Sequence, residues 1–526
     1  LGGAEGTIEA GLAAMAALDL VHRDEPSGDY LFKHALVRDA LYQSLLSGPR
    51  AALHLRIAEE VERRNGNRLA EVAEVLALHY GQSTQTDKAF TYLVMAGSKS
   101  AGLYSLDEAE RYFEQALELC ESHEELLRKK TFLDLLAVMA ALLFNKSKLD
   151  VLKRLVDRHG EHAQSLGDSP QWVSVLSTYS FGMALCSDLG LALAAATRAL
   201  AMAERLNDDR AKAYARASFI YVKTIPGRLS REEADHHRAL LLLERQRVSD
   251  PQLHVLAIVA SAWDYLLRGH TNAARAQALE LEAQGRRTGD PRALGASLWL
   301  LGWIAVIDAR YDDAFTHGDE CVRVALTPVD REIGRGAKVC AQIFRGEVRE
   351  GIEELLALRE QLIANGHRYV VDGLDPALGI AKILQGDFSG GIRFLAELVK
   401  QMEAIDNPLG AVTTRIYQAE AYIELLTPRQ MPKLGILLRN LPFLVMTALT
   451  GRKKAMRLLS EARKCPTFTG DSYFVARIDT DLGILLKMGK KQAAAREHLE
   501  RARPIAAHLK AAALLAKIDT ALAELR

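Results

Sequence analysis

A histidine stands at the junction between a strand-like segment and a helix, where an anion would find hydrogen-bond donors. Residues 30–33 have the pattern of a short strand, and residues 34–46 have the spacing of a helix. The first N–H groups of a helix lack internal partners and lie at the positive end of its dipole. We therefore select His34 as the one candidate binding residue, for an anion held at the start of this helix. The alternative is that its ring caps the helix or packs against the preceding turn.

No other group of residues has the spacing of a catalytic or metal site. The glycine- and lysine-containing run at 483–491 has one residue too many for a phosphate loop and lacks the Ser or Thr that binds magnesium. His236 and His237 are adjacent on a predicted helix, so their rings point about 100° apart and converge poorly on a metal. No nucleophile-elbow sequence occurs. We predict no catalytic residue and no metal ligand, and therefore a chain that is not an enzyme.

The composition argues against nucleic acid and membranes as main partners. The 526 residues carry 67 basic and 67 acidic side chains, a formal net charge of zero. Two apolar runs, 132–144 and 434–449, are too short or too interrupted to span a bilayer, and we predict both as buried helices. The five cysteines lie far apart without a zinc or disulfide pattern. We expect a cytoplasmic protein with reduced thiols.

The first residues predict a helix, a hairpin and a second helix. Residues 7–18 have helical spacing, and two short strand patterns, 20–23 and 30–33, flank a turn-rich segment at 24–29. This order matches the second half of a winged helix. The first helix carries Glu9 and no Lys or Arg, which favours a packing module over a DNA-binding one.

The segment around His34 resembles a known family. It resembles the end of the winged-helix region in bacterial signal-transduction ATPases of the STAND type, many of which carry a class III adenylyl or guanylyl cyclase domain before it and tetratricopeptide-like repeats after it. The resemblance implies an ATPase core, with ATP or ADP and magnesium, before residue 1, and no cofactor in this chain. The residues that carry it are Phe32-Lys33-His34-Ala35-Leu36-Val37-Arg38-Asp39-Ala40, Tyr42, Leu45-Leu46, Arg50, Leu53-His54, Arg56-Ile57-Ala58 and Glu62.

The same segment resembles the Met-His-Asp motif of related NOD-type ATPases, in which the histidine senses ADP. His34 matches, as do three residues that follow it, Leu36, Arg38 and Asp39. Lys33 stands in place of the Met, and Ala35 stands in place of the first Asp. The resemblance implies that His34 senses ADP in the intact protein only.

An internal repeat fills the remainder of the chain. The tetratricopeptide pattern places one small residue in helix A and a second, twelve positions later, in helix B. The spacings from Ala194 onward are 40, 40, 40, 37, 40, 64 and 40 residues, and one further repeat is predicted near Leu152. The helix B positions that we predict are Ala109, Ala194, Ala234, Ala274, Ala314, Gly351, Gly391, Ala455 and Ala495.

These observations predict an all-α protein, a tetratricopeptide-like right-handed superhelix of helical hairpins preceded by a small winged-helix remnant. We place the remnant and its linking helices at 1–64 and the superhelix at 65–526, with an irregular repeat around 425–455 where prolines interrupt helices. Stacked hairpins form a curved groove. We expect the groove to bind a protein or peptide partner, or a small-molecule inducer, and we expect that the chain also self-associates.

The function that follows is the sensor or interaction region of a bacterial signalling ATPase, which regulates an upstream ATPase or cyclase. Two alternatives remain open. One is a stand-alone tetratricopeptide scaffold or adaptor. The other is a transcription regulator of the LuxR or maltose-activator type, which would usually need a basic helix-turn-helix at one end of the chain.

Overall fold

A computed structural model describes residues 5–24, 28–428 and 432–525 of the chain. Part of the predicted turn, residues 25–27, lies outside the described residues. The fold consists of two compact units, Leu1–Met139 and Ala140–Arg526. The domain boundary near residue 64 stays a prediction. None of the helices in the described part of the chain combines the length and the apolar character needed to cross a membrane.

The N-terminal unit begins with the predicted order of helix, hairpin and helix. The two strands pair antiparallel, with Val21 opposite Phe32. Ten large apolar side chains among the described residues of 8–46, from Ile8 to Leu46, are exposed, so this part of the unit buries little of its own apolar surface. That it is a winged helix stays a prediction. The elements are α1 (Glu5–Ala17), β1 (Val21–Arg23), β2 (Tyr30–Phe32) and α2 (Ala35–Ser44).

The break between α2 and the next helix lies earlier than the sequence indicates. In the sequence, Gly48 is typical of a helix end and Pro49 of a helix start, which predicts a break between them. That prediction is wrong, because α3 (Ser47–Asn65) already contains both residues. The chain turns instead at Leu45 and Leu46, which have extended backbones. Proline is compatible with the first helical turn, so it does not require a new start at its own position.

A carboxylate ties α3 to the helices that follow. Glu62 accepts hydrogen bonds from the hydroxyl groups of Tyr80 and Tyr92 and from the ammonium group of Lys88. The rings of Tyr80 and Tyr92 stack with centroids 5.4 Å apart. Burial raises the pKa of Glu62, but these three donors outweigh it and hold the pKa at about 2.

Ten helical hairpins follow between Thr86 and His508 in the described part of the chain, and we call the first helix of each A and the second B. The elements after α3 are a 3₁₀ helix (Gly66–Val72), α4 (Ala73–Gly81), α5 (Thr86–Gly102), α6 (Leu106–Ser122), α7 (Glu124–Leu127), α8 (Lys130–Asn145), α9 (Leu149–Ser165), α10 (Pro170–Leu185), α11 (Leu189–Leu206), α12 (Asp209–Thr224), α13 (Arg231–Gln246), α14 (Pro251–Leu267), α15 (Thr271–Thr288), α16 (Pro291–Ile307), α17 (Tyr311–Val324), α18 (Pro328–Arg345), α19 (Val348–Ala364), α20 (Arg368–Leu384), α21 (Phe388–Ala404), α22 (Pro408–Leu426), α23 (Leu434–Arg439), α24 (Leu441–Ala462), α25 (Tyr473–Met488), α26 (Gln492–His508) and α27 (Ala512–Ala523). The predicted all-α, tetratricopeptide-like fold class is confirmed.

The small residues in the A helices let the B helices approach closely, as the repeat pattern predicts. A Cβ atom built on Gly379 would lie 2.7 Å from Leu395, and one built on Gly483 would lie 2.7 Å from Leu499. Both distances are shorter than van der Waals contact, so a larger side chain would push the two helices of the hairpin apart.

The predicted register is wrong in one repeat. Ala194 is exposed, whereas Ala192 is fully buried. The N–H of Ala192 donates to the carbonyl of Asp188, the N-cap residue of α11, and the N–H of Leu152 in the repeat before bonds in the same way to Lys148. The hidden repeat predicted near Leu152 is thus present. The error arose because Ala192, Ala194, Ala195 and Ala196 lie close together in the first half of α11, so composition alone does not select the packed one.

The helices of the C-terminal unit meet across a complete superhelical turn. The hydroxyl of Ser147 donates to Glu332 at 3.1 Å, and the hydroxyl of Ser187 donates to Asp372 at 3.0 Å. Each pair is separated by 185 residues, or between four and five repeats. Both contacts join the turn between the A and B helices of one repeat to a later A helix. These two contacts therefore hold helices from distant repeats against each other.

Candidate functional site

Closure of the superhelix leaves an apolar cavity of about 160 Å³ inside the C-terminal unit. Eight consecutive A helices, from α10 to α25, contribute to its wall. Its wall includes Tyr221, Trp263, Trp299, Trp303, Tyr369, Asp372, Gly373, Tyr417 and Arg477. The predicted groove is thus reduced here to an aromatic cavity.

Two tryptophans and a tyrosine form one wall of the cavity. The indole N–H of Trp263 donates to the phenolic oxygen of Tyr369 at 3.1 Å. The rings of Trp263 and Trp299 meet edge to face, with centroids 5.8 Å apart. Burial raises the pKa of Tyr369, so its hydroxyl stays neutral at physiological pH. This wall offers ring surfaces and a phenol to a ligand.

Hydrogen bonds hold the rings of Trp299 and Trp303 in place. Trp303 donates its indole N–H to the carbonyl of Ile333 at 3.1 Å, and Trp299 donates to the carboxylate of Asp330 at 3.0 Å. Asp330 also pairs with Arg292. Since each indole N–H is already bonded, the rings present their apolar surfaces to the cavity.

The one guanidinium in the cavity wall is neutralised by a neighbour. Arg477 forms a bidentate pair with Glu420 and lies over the ring of Tyr417, with its guanidinium carbon 4.8 Å from the centroid. Burial by itself would raise the pKa of Glu420, but the attraction and hydrogen bonds of Arg477 outweigh it and keep that pKa below its usual value. The pair brings no net charge, so it does not specify an anionic ligand.

A second polar group in the wall is also adapted to burial. Asp372 accepts a hydrogen bond from Ser187, and burial raises the pKa of its carboxyl group. The cavity therefore combines ring surfaces with a few neutral or paired polar groups. Such a lining suits an apolar ligand that carries at most one or two neutral hydrogen-bonding groups.

His34, the candidate selected from the sequence, lies in the N-terminal unit. It is the N-cap residue of α2, with an extended backbone (φ −125°, ψ 121°), and its side chain makes no capping hydrogen bond. The ring is exposed. The side chain of His34 therefore does not cap the helix, as the alternative would have it. The ADP-sensing role of His34 stays a proposal.

The adjacent histidines on α13 have separate environments. His236 is exposed, whereas His237 is half-buried and accepts a hydrogen bond from Arg216 at 3.1 Å. Burial, followed by the charge of Arg216, lowers the pKa of His237 to about 4. In the described part of the chain, no group of three or more His, Cys, Asp or Glu side chains has the arrangement of a metal site.

The cavity was not predicted from the sequence, because Trp263, Trp299 and Trp303 have the spacing of residues that pack between repeats. One signal was present, since Trp263 and Trp303 are 40 residues apart and therefore occupy equivalent positions in successive repeats. Equivalent positions on successive A helices lie on the same face of the superhelix. An aromatic residue repeated there indicates a surface or a cavity lined by rings.

The fold and cavity define a tetratricopeptide-like helical repeat protein, a class typical of protein-interaction scaffolds. The sequence profile of the cohesin loading factor family matches residues 104–284, which is well under half of the chain and does not establish membership of that family. An uncharacterized protein of Rhizobium meliloti (strain 1021) is 28% identical over 96 residues. The match covers 18% of this chain and 9% of that relative.

Three solved structures are similar to this chain at low identity. The Rap protein complexed with competence and sporulation factor has a TM-score of 0.42 at 12% identity and covers 67% of this chain and 99% of its own. The Cut9–Hcn1 hetero-tetramer of the APC/C has a TM-score of 0.42 at 15% identity, covering 97% and 98%. Yeast Tom70 has a TM-score of 0.33 at 12% identity, covering 84% and 96%. These similarities are too weak to indicate a shared function.

Proposed function

We propose that this chain is the sensor region of a bacterial signalling ATPase and that its C-terminal unit binds a small apolar ligand. The observation that carries the proposal is the cavity lined by eight A helices, with Trp263, Trp303 and Tyr369 in its wall. Because helices from separate repeats line it, a ligand would contact both ends of a superhelical turn. Occupancy would then favour the closed turn over an opened one.

The size and chemistry of the cavity limit the ligand. An engineered cavity of about 150 Å³ in another protein binds benzene, and the volume here is about 160 Å³. A single aromatic ring or a branched alkyl group of comparable size would fit. Because Arg477 is already paired with Glu420, a charged ligand would have to be desolvated without gaining a free counter-ion. We therefore expect a neutral ligand.

Isothermal titration calorimetry with p-cresol and with benzoate tests this proposal. We expect p-cresol to bind in a one-to-one ratio and benzoate, which has a similar ring but a negative charge, to bind at least about tenfold more weakly. Equal affinity for both compounds, or binding of neither, would contradict the proposed ligand class.

Gly373 provides a matched pair of variants for the same experiment. A Cβ atom on Gly373 would meet only Trp303, at 4.0 Å, which is ordinary van der Waals contact. Gly373→Ala should therefore keep the cavity and its ligand. Gly373→Leu should fill the cavity, because the larger side chain extends into it, and should abolish p-cresol binding. Retained binding in the Leu variant would show that the ligand binds elsewhere.

The signalling part of the proposal concerns a longer protein. It is supported by the family resemblance around His34 and by a relative about twice as long as this chain, since the matched segment is 18% of one and 9% of the other. The exposed apolar residues near the N-terminus, such as Leu36 and Leu46, would be covered by a neighbouring domain. ATP or ADP and magnesium would bind in that domain.

His34 is the residue with which to test this part. In the full-length protein, His34→Ala should increase the rate at which ADP dissociates, because the proposed sensor contact is lost. His22→Ala, which changes a histidine on β1, is the control. An unchanged ADP off-rate in the His34 variant would remove the sensing role and leave the cavity proposal intact.

A further inference from the structure

Helices α23 and α24 carry an exposed apolar stripe on the irregular repeat of the C-terminal unit. Its members are between 51% and 72% exposed and follow one another at intervals of four, three, four and four residues. These are the intervals of a helix-packing seam. We call these residues the α23–α24 stripe; they are Leu434, Leu438, Leu441, Val445 and Leu449, with Met446 beside them.

The opposite face of the same segment packs into the repeat. Ile436 and Phe443 lie against the core of the C-terminal unit, and Asn440 donates to the carbonyl of Gly386 at 2.8 Å. We predicted from the sequence that residues 434–449 are buried, and that prediction is wrong for one face. A helix that is apolar on all sides is normally buried on all sides. The stripe is therefore an apolar surface that no other described part of the chain buries.

The basic residues around the stripe favour a binding partner with acidic side chains. All seven charged residues between 425 and 460 are basic. Lys433, Arg439, Arg452 and Lys453 form no ion pair with another described residue. Among the described residues of this segment, Arg457 makes a 3.8 Å contact with Glu461. A covering surface that supplies carboxylates would relieve this repulsion as well as bury the apolar residues.

We infer that the α23–α24 stripe binds an amphipathic helix of a partner protein that has apolar residues on one face and acidic residues beside them. The stripe extends over 16 residues of two consecutive helices, α23 and α24, and is a narrow seam of the kind that a single helix covers. A second copy of the chain that paired through its own stripe would bring only cations, because all seven charged residues of this segment are basic. A membrane surface would need a broader apolar face than one seam offers.

A designed helical peptide tests the inference with the full chain. The probe is a three-heptad peptide with Leu at positions a and d and Glu at e and g; the control peptide has Lys at e and g. Fluorescence anisotropy should show binding of the Glu peptide at least about tenfold tighter than binding of the Lys peptide, with affinity falling as salt rises. Equal binding of the two peptides, or none, would overturn the inference.

Variants of the chain locate the contact. Leu441→Glu with Leu449→Glu should weaken binding of the Glu peptide at least about tenfold. Leu103→Glu, at a residue that is 73% exposed outside the stripe, should have no effect. Lys453→Glu with Lys454→Glu should reverse the preference toward the Lys peptide. Circular dichroism melts confirm that each variant is folded, and an unchanged affinity in the first double variant contradicts the proposed site.

Two further measurements distinguish the other occupants. Sedimentation of the wild-type chain and of the Leu441→Glu, Leu449→Glu double variant should give the same oligomeric state. Vesicles of phosphatidylserine and phosphatidylcholine should not bind the chain through these residues. A stripe-dependent dimer, or stripe-dependent vesicle binding without peptide binding, would overturn the proposal of an acidic partner helix.

Discussion

The indole N–H of Trp263 and the phenolic oxygen of Tyr369 are joined by a 3.1 Å hydrogen bond across 106 residues of sequence. The two residues lie on α14 and α20, three repeats apart. Their bond forms part of the cavity wall, so it connects the closure of the superhelical turn directly to the proposed ligand site.

A double-mutant cycle should detect this connection. Trp263→Phe and Tyr369→Phe each remove one partner, and we expect a coupling energy of about 1 kcal/mol in the free energy of unfolding, because only the pair makes the bond. Urea denaturation of the four proteins measures it. The control cycle combines Trp172→Phe with Tyr369→Phe. The buried indole N–H of Trp172 bonds to no described residue. Coupling of similar size in both cycles would show that the hydrogen bond is not responsible.

Closure of the turn should also be sensitive to one glycine. Gly269 has a φ of +81°, its carbonyl accepts from the N–H of Tyr473 at 2.9 Å, and a Cβ atom on it would lie 2.9 Å from that same nitrogen. Gly269→Ala should cost about 3 kcal/mol of unfolding free energy, from backbone strain together with the clash.

Gly289 is the matched control for this change. It has a φ of +68°, and a Cβ atom there would meet nothing within 4 Å. Gly289→Ala should cost about 1 kcal/mol, from backbone strain alone. Chemical denaturation of both variants compares the two costs, and equal losses would mean that the contact between Gly269 and Tyr473 contributes nothing.

The corrected repeat register predicts opposite effects for two neighbouring alanines. Ala192→Leu should destabilise the chain by about 1–3 kcal/mol, because the fully buried methyl group leaves no room for a larger side chain. Ala194→Leu, at an exposed position of the same helix, should change the free energy of unfolding by less than about 0.5 kcal/mol. Thermal melts of the two variants distinguish the registers, and the reverse order would restore the one predicted from the sequence.

Stability should fall in mild acid because of His237. Its pKa is about 4 in the folded chain, against 6.5 as the ordinary value. Between pH 6.5 and pH 4 the unfolded chain therefore binds more protons at this residue, and the free energy of unfolding decreases as the pH falls. The physical cause is that the protonated ring is partly desolvated and can no longer accept the hydrogen bond from Arg216.

A glutamine at this position isolates the effect. His237→Gln keeps a hydrogen-bond acceptor but does not titrate, so its urea midpoint should fall less between pH 7 and pH 5 than that of the wild type. His236→Gln, at the exposed neighbour, should retain the wild-type pH dependence. The expectation fails if the two variants have the same dependence on pH.

Local patterns were sufficient to predict the hairpins. The close approach of Gly379 to Leu395 and of Gly483 to Leu499 follows from small residues at fixed spacing within a single repeat. The strand pair before α2 was predicted for the same reason, since hairpin signals are contained in a few consecutive residues. Ala192 was missed because neighbouring alanines are equivalent in a pattern that records only residue size.

The cavity and the exposed stripe were decided by tertiary structure. Sequence spacing shows that hairpins stack, but the small rotation between successive hairpins determines whether Ser187 meets Asp372 185 residues later. The same rotation converts packing residues such as Trp263 into the wall of a cavity. For residues 434–449, the sequence determined an apolar helical segment, and only its contacts with neighbouring helices decided which face is left exposed.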